Sequence, residues 1–226
     1  TLFRSGDANG DGISGRINGV TDPETGSQAI GRFGWKASQP SVRVQTGLAL
    51  REDMGLGNPV YPADGLDLTP EEFNDLTLYA RALGVPLRRN FDDPDVLAGE
   101  QLFAAMNCAA CHKPEVTTGN GHALTELRNQ TIRPYTDLLL HDMGPGLADQ
   151  VREGSATGSE WRTPPLWGIG RTEEVSGHTR FLHDGRAHSL EEAILWHGGE
   201  AEASRDAYKA LSVSERAQVI DFLRSL

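Results

Sequence analysis

The chain has 226 residues, 38% of them hydrophobic, and a formal net charge of -11. That is long enough for one large domain or two small ones with proper cores, while the acidity and the lack of any Lys/Arg-rich run exclude binding to nucleic acid or an anionic membrane. No apolar stretch approaches the roughly 20 residues needed to span a bilayer, and the opening TLFRSGDANG has no apolar core of a signal peptide.

Its 26 glycines and 12 prolines crowd residues 6–65 and 144–199, which predicts helices separated by long, tightly turned loops. The first such loop, DANGDGISG (7–15), places Asp7, Asn9 and Asp11 at positions 1, 3 and 5 of an EF-hand-like calcium loop, with Gly12 for the turn and a carbonyl from Ile13. Position 12 is Asn18 instead of the bidentate Glu, so an Asx-turn loop without metal is the competing reading. LTPEEFNDLTLYARAL (68–83) then reads as an amphipathic helix with a hydroxyl N-cap. A second helix, in DPDVLAGEQLFAAMN (93–107), sets Val96, Leu97, Leu102, Phe103 and Met106 on one stripe.

That stripe runs into NCAACHKPE, which holds the only two cysteines, Cys108 and Cys111. One bridge across two residues would close too small a loop to staple a fold. A tetrahedral zinc site lacks a second ligand pair, and a thioredoxin-like pair lacks its βαβ context. CxxCH has another logic: two thiols at this spacing add to the two vinyl groups of one haem, and His112 lies under the iron as proximal ligand.

A second axial ligand would come from His122, His141, Met143, His178, His183, His188 or His197. In SLEEAILWHGG (189–199) Ser189 and Glu192 form a capping box, and Gly198–Gly199 stop the helix. His197 therefore projects from the last turn beside Trp196, as a ligand or as a partner of the helix dipole. His141, Met143 and His183 remain the other contenders. Arg162 and Arg171 flank a Pro-Pro-Leu-Trp turn and have the fork geometry that suits haem propionates, the alternative being solvent-facing cations.

The closing segment LSVSERAQVIDFLRSL (211–226) matches 68–83 without gaps at Leu68/Leu211, Thr69/Ser212, Glu72/Glu215, Leu76/Val219, Tyr79/Phe222, Arg81/Arg224 and Leu83/Leu226. Two ordinary amphipathic helices look alike, but cytochrome c domains resemble one another in closing with such a helix, packed across the one that enters CxxCH. On that resemblance 93–226 is one complete unit, and 68–83 closes an earlier one whose haem motif lies upstream of Thr1.

RTPPLWGIGR (162–171), RFLHDGRAHSLEEAILWHGGEA (180–201) and NCAACH together resemble the di-haem oxidoreductases related to bacterial di-haem cytochrome c peroxidases. DANGDGISGRIN (7–18), GRFGWKASQPS (31–41) and YTDLLLHDMGPGLAD (135–149) are similar to the branch labelled thiol oxidoreductase, so the resemblance covers nearly the whole chain. It implies that the C-terminal haem transfers electrons and that the relatives' distal Met falls at His197, which makes His197 the leading distal ligand. His/His ligation gives a lower potential than His/Met, which puts the relatives' electron donor in doubt.

The resemblance also implies a reactive haem contributed by a missing upstream domain. No histidine lies between residues 1 and 107, and Met54 is the sulfur candidate there. With Met54 unbound, Glu52 and Asp53 become candidate acid/base groups, and Trp35 a candidate electron relay between haems. A calcium ion between domains is a further implication.

The expected fold is therefore mainly α, a cytochrome-c-like haem domain with long Gly/Pro-rich loops. Residues 1–90 would be the C-terminal part of a truncated first haem domain, ending in helix 70–83, and residues 91–226 the cytochrome-c-like domain. The expected function is an electron-transfer haem c domain of a peroxidase-like oxidoreductase, carrying one haem c and a calcium ion in this chain. The alternative is a stand-alone c-type cytochrome without catalysis. Expected partners are the upstream haem domain and a small electron-transfer protein. Covalent haem implies a periplasmic setting, with the signal peptide removed. The piece alone is not expected to turn over.

Overall fold

The computed structural model describes residue 7 and residues 10–226. Four short strands and three helices occupy the chain as far as Ile132: β1 (Asn18–Thr21), β2 (Gln28–Gly31), α1 (Val42–Met54), α2 (Pro70–Ala82), α3 (Pro94–Ala105), β3 (Val116–Thr117) and β4 (Thr131–Ile132). The remainder holds β5 (Leu140–Asp142), β6 (Glu160–Arg162), α4 (Thr172–Ser176), α5 (Leu190–Leu195), α6 (Glu202–Ala210) and α7 (Val213–Ser225). No helix among the described residues is long and apolar enough to cross a membrane.

This corrects the mainly α, cytochrome-c-like expectation. The described residues give 39% helix and 11% strand, with antiparallel pairs β1–β2, β3–β4 and β5–β6. The physical reason lies in the Gly/Pro-rich segments read as loops. NGVT alternates buried and exposed positions and folds back on QAIG, while Leu140 pairs with Arg162 and is bridged on its other side by Arg16. Strands of two to four residues carry too little period to be told from loop in the sequence.

The helices that frame the cysteine motif have local causes. Pro94 at the first turn of α3 follows the N-cap Asp93, whose carboxylate accepts from the Asp95 N–H at 2.8 Å. In α7 the N-cap Ser212 and Glu215 bond reciprocally, and in α2 Thr69 and Glu72 do the same. Helices α3 and α7 cross at Gly99, where a Cβ would come within 2.0 Å of the Gln218 carbonyl oxygen. Around that crossing Phe103, Met106, Tyr135, Leu166, Tyr208, Val219, Phe222, Leu223 and Leu226 form one core. Val44, Leu50, Val60 and Phe73 form another between α1 and α2.

Candidate functional site

Helix α3 ends at Met106, and Asn107 reverses the chain in a left-handed conformation at φ 62°. One tight helical turn, Cys108–Ala110, follows, closed by the bond from His112 N–H to the Cys108 carbonyl at 3.0 Å. His112 is thereby pinned beside Phe103, ring centroids 6.2 Å apart. Its Nδ1 lies 3.0 Å from the Tyr135 carbonyl oxygen, which makes Nδ1 the donor and leaves Nε2 with its lone pair.

His197 follows α5, whose N-cap Ser189 accepts from the Glu192 N–H at 3.0 Å. Its Nδ1 lies 2.7 Å from the Ala193 carbonyl oxygen, one helical turn back, so the same tautomer results. The two ring centroids lie 6.5 Å apart, with the planes at 49°. Neither Nε2 makes a hydrogen bond among the described residues. Burial pushes the His112 pKa down to about 4, helped by the nearby His197, and burial lowers that of His197 too. Both imidazoles are thus neutral, the form that ligates metal.

These features fit an iron between the rings. Two metal–imidazole bonds of about 2 Å and two ring radii of about 1 Å would set the centroids roughly 6 Å apart. The walls are apolar, with Leu166, Ile169, Leu190 and Ile194 on the same cluster as Phe103. Cys108 packs there, and burial pushes its thiol up to about 12. Both cysteines are free, and Cys111 Sγ lies 3.6 Å from His141 Nδ1.

The two arginines differ. Arg162 is partly buried and spends its donors on carbonyls, Nε to Gly34 at 2.8 Å and a terminal nitrogen to Thr163 at 3.2 Å. It makes no ion pair among the described residues, and burial lowers its pKa. Arg171 is instead paired with Glu174 at 2.8 Å, although its Nε is buried without a hydrogen-bond partner among the described residues. Arg162 is the one without a counter-anion, which fits a propionate better than a cation already paired.

The other sequence candidates lie elsewhere. His141 is buried with both nitrogens on carboxylates, and His183 stacks on Trp161 with ring centroids 3.6 Å apart, whereas His197 is the histidine whose ring lies beside that of His112. Glu52, Asp53 and Met54 are exposed on the last turn of α1, with Glu52 3.5 Å from Arg51. Trp35 is 53% exposed, and its carbonyl accepts from Arg162 N–H at 2.9 Å. In the N-terminal loop Asn9 lies outside the described residues. The Asp7 carboxylate accepts from the Asp11 and Gly12 N–H groups, both at 2.9 Å, and that of Asp11 from the Ile13 N–H at 3.0 Å, an Asx-turn arrangement. No cluster of three or more His, Cys, Asp or Glu among the described residues is arranged to hold a metal ion.

Sequence reasoning missed the groups that hold the two imidazoles. The Ala193 carbonyl was open to inference, because a helical carbonyl four residues back is within reach of a histidine at a helix end. Tyr135, 23 positions beyond His112, left no signal in the spacing.

A family model described as "Di-haem oxidoreductase, putative peroxidase" matches residues 1–72 and 65–226. No curated protein and no solved structure matches the chain.

Proposed function

The chain belongs to the di-haem oxidoreductase family, and from that premise we propose that residues 91–226 carry one haem c and serve as the electron-transfer side of a peroxidase-like oxidoreductase. Cys108 and Cys111 would hold the porphyrin through thioethers, His112 and His197 would ligate its iron, and Arg162 would pair with a propionate. The observation that carries this reading is the close pair of neutral imidazoles, centroids 6.5 Å apart, each with Nδ1 anchored on a backbone carbonyl. A haem held by the two histidines would supply one-electron transfer at a low potential.

The protein's own part is to orient and to exclude. The Tyr135 and Ala193 carbonyls fix the tautomer and rotation of each ring, which also raises the basicity of the free nitrogen. Leu166, Ile169, Leu190 and Ile194, in the same apolar cluster as Phe103, would keep water from the bound group. Arg162 supplies the positive charge that a buried propionate needs.

The family carries two haems, and the chain offers surfaces for the other. Val219 and Phe222 of α7, and Leu226 at its end, are buried in the core around Phe103. Their counterparts in α2 are Leu76, Tyr79 and Leu83, and Tyr79 and Leu83 are 65% and 58% exposed. We read that uncovered face as the seat of the helix leading into the second haem, with residues 1–90 belonging to that haem's side. Trp35, Glu52 and Asp53 would then act there, as relay and as acid/base groups. A periplasmic location belongs to the same proposal, because covalent haem attachment takes place in an exported compartment.

The test is the optical spectrum of protein matured in a host able to attach haem, oxidised and reduced, with and without His197→Ala. A low-spin spectrum that turns high-spin in the variant supports the reading. A spectrum indifferent to the substitution overturns His197 as ligand, and the absence of covalent haem after maturation overturns the cofactor.

A further inference from the structure

His141, on β5, is 2% exposed, and carboxylates face both of its ring nitrogens: Asp137 Oδ2 lies 3.0 Å from Nε2 and Glu200 Oε2 2.8 Å from Nδ1. An imidazole donates from both nitrogens only when it is protonated, so this ring is a cation between two anions. Burial alone would push its pKa down, but the hydrogen bonds to Asp137 and Glu200 raise it above the ordinary value.

The two carboxylates belong to opposite sides of the imidazole pair. Asp137 lies two residues beyond Tyr135, whose carbonyl anchors His112. Tyr135 and Leu138 both occupy left-handed backbone, at φ 53° and 60°, a conformation that a non-glycine residue holds only when its surroundings impose it. Glu200 lies three residues beyond His197, across the Gly198–Gly199 turn. Gly199 sits at φ 54°, pressed so closely on β5 that a Cβ would meet the Asp142 carbonyl oxygen at 2.2 Å. The Glu200 carboxylate also accepts from the Ser14 N–H at 2.8 Å, which ties residues 14–16 to the same point.

We propose that His141 is a positioning residue, a charged strut whose bonds to Asp137 and Glu200 fix the loop that anchors His112 relative to the turn that follows His197. The inference rests on the axial ligation proposed above. Without the imidazolium, two carboxylates would be left facing each other in a buried site, and the loop and the turn would separate. A separation of even 1 Å would open one axial position of a metal held between the rings.

Carbon monoxide binding to the reduced, haem-loaded protein reads this directly, because CO enters only where an axial position is open. Wild type, His141→Gln, Glu200→Gln and His197→Ala would be compared well below the unfolding temperature of each. The expected result is that His141→Gln and Glu200→Gln bind CO about tenfold faster than wild type or more, the factor that goes with losing one charge-assisted hydrogen bond. A merely structural role would lower thermal stability and leave that rate unchanged. Glu200→Gln keeps the shape of the side chain and decides the matter if His141→Gln does not fold. Equal rates for wild type and the strut variants, with His197→Ala fast, would overturn the strut and leave the ligation standing. Fast CO binding by wild type, unaltered by His197→Ala, would overturn the ligation instead.

Discussion

Helices α7 and α2 carry the same capping box and nearly the same spacing of apolar residues, yet Phe222 of α7 is fully buried while Tyr79, its counterpart in α2, is 65% exposed. Local code makes both helices, so it cannot be what separates them. The difference is the neighbour. Helix α7 has α3 against it, with Gly99 allowing backbone-close approach, whereas α2 rests on α1 through Phe73 and leaves its other face open. A helix's sequence says which face wants cover, and only the rest of the assembly says whether the cover is there.

That comparison can be broken most sharply at the aromatic positions. Phe222→Ala is expected to lower stability by about 3–5 kcal/mol, the usual cost of emptying a packed aromatic site, read from denaturant midpoints. Tyr79→Ala in the same chain should stay within roughly 0.5 kcal/mol. A large loss at Tyr79 would mean that its face is already covered in this chain. The caps sharpen the comparison from the other side. Ser212→Ala and Thr69→Ala should each cost about 1 kcal/mol, because the reciprocal bonds are the same in both helices. Unequal costs would show that tertiary context reaches the N-termini as well.

A smaller effect concerns acid. Burial would raise the Glu160 carboxyl, but the Arg16 guanidinium and the Thr157 N–H outweigh it and bring the pKa down to about 2. A carboxylate depressed in the folded state contributes stability above its ordinary value of 4.5, and that contribution is lost as the pH falls toward about 2. Glu160→Gln should therefore flatten the stability curve between those limits, monitored by thermal melts at each pH. It acts on the strand side of the molecule and leaves the α3–α7 core intact, so its effect should be smaller than that of Phe222→Ala.

What the sequence could reveal tracks the distance over which each feature is determined. The caps at Ser189 and Ser212 and the stop at Gly198–Gly199 are settled by residues within a few positions, and all are legible. The pairing of Leu140 with Arg162, the anchoring of His112 by Tyr135 and the meeting of Ser14, His141 and Glu200 depend on segments far apart in the chain. No periodicity encodes them. The strands went unseen for that reason, and the mainly α expectation failed with them. Arg162 was visible only as one of two flanking arginines, because the burial that distinguishes it from Arg171 comes from the fold.

The α3–α7 crossing also sets an order of events. Phe103 and Phe222 touch at a centroid distance of 5.2 Å, and the carbonyl of Leu226 accepts from the Gly168 N–H at 2.8 Å. Contacts so distant in sequence carry a high loop-closure entropy and form late, after shorter-range structure is in place. During synthesis the helix that presents Cys108 and Cys111 emerges long before the helix that covers it. The turn that carries Cys108 therefore stays uncovered until α7 has docked on the core it packs against, and the chain's own topology sets the length of that interval.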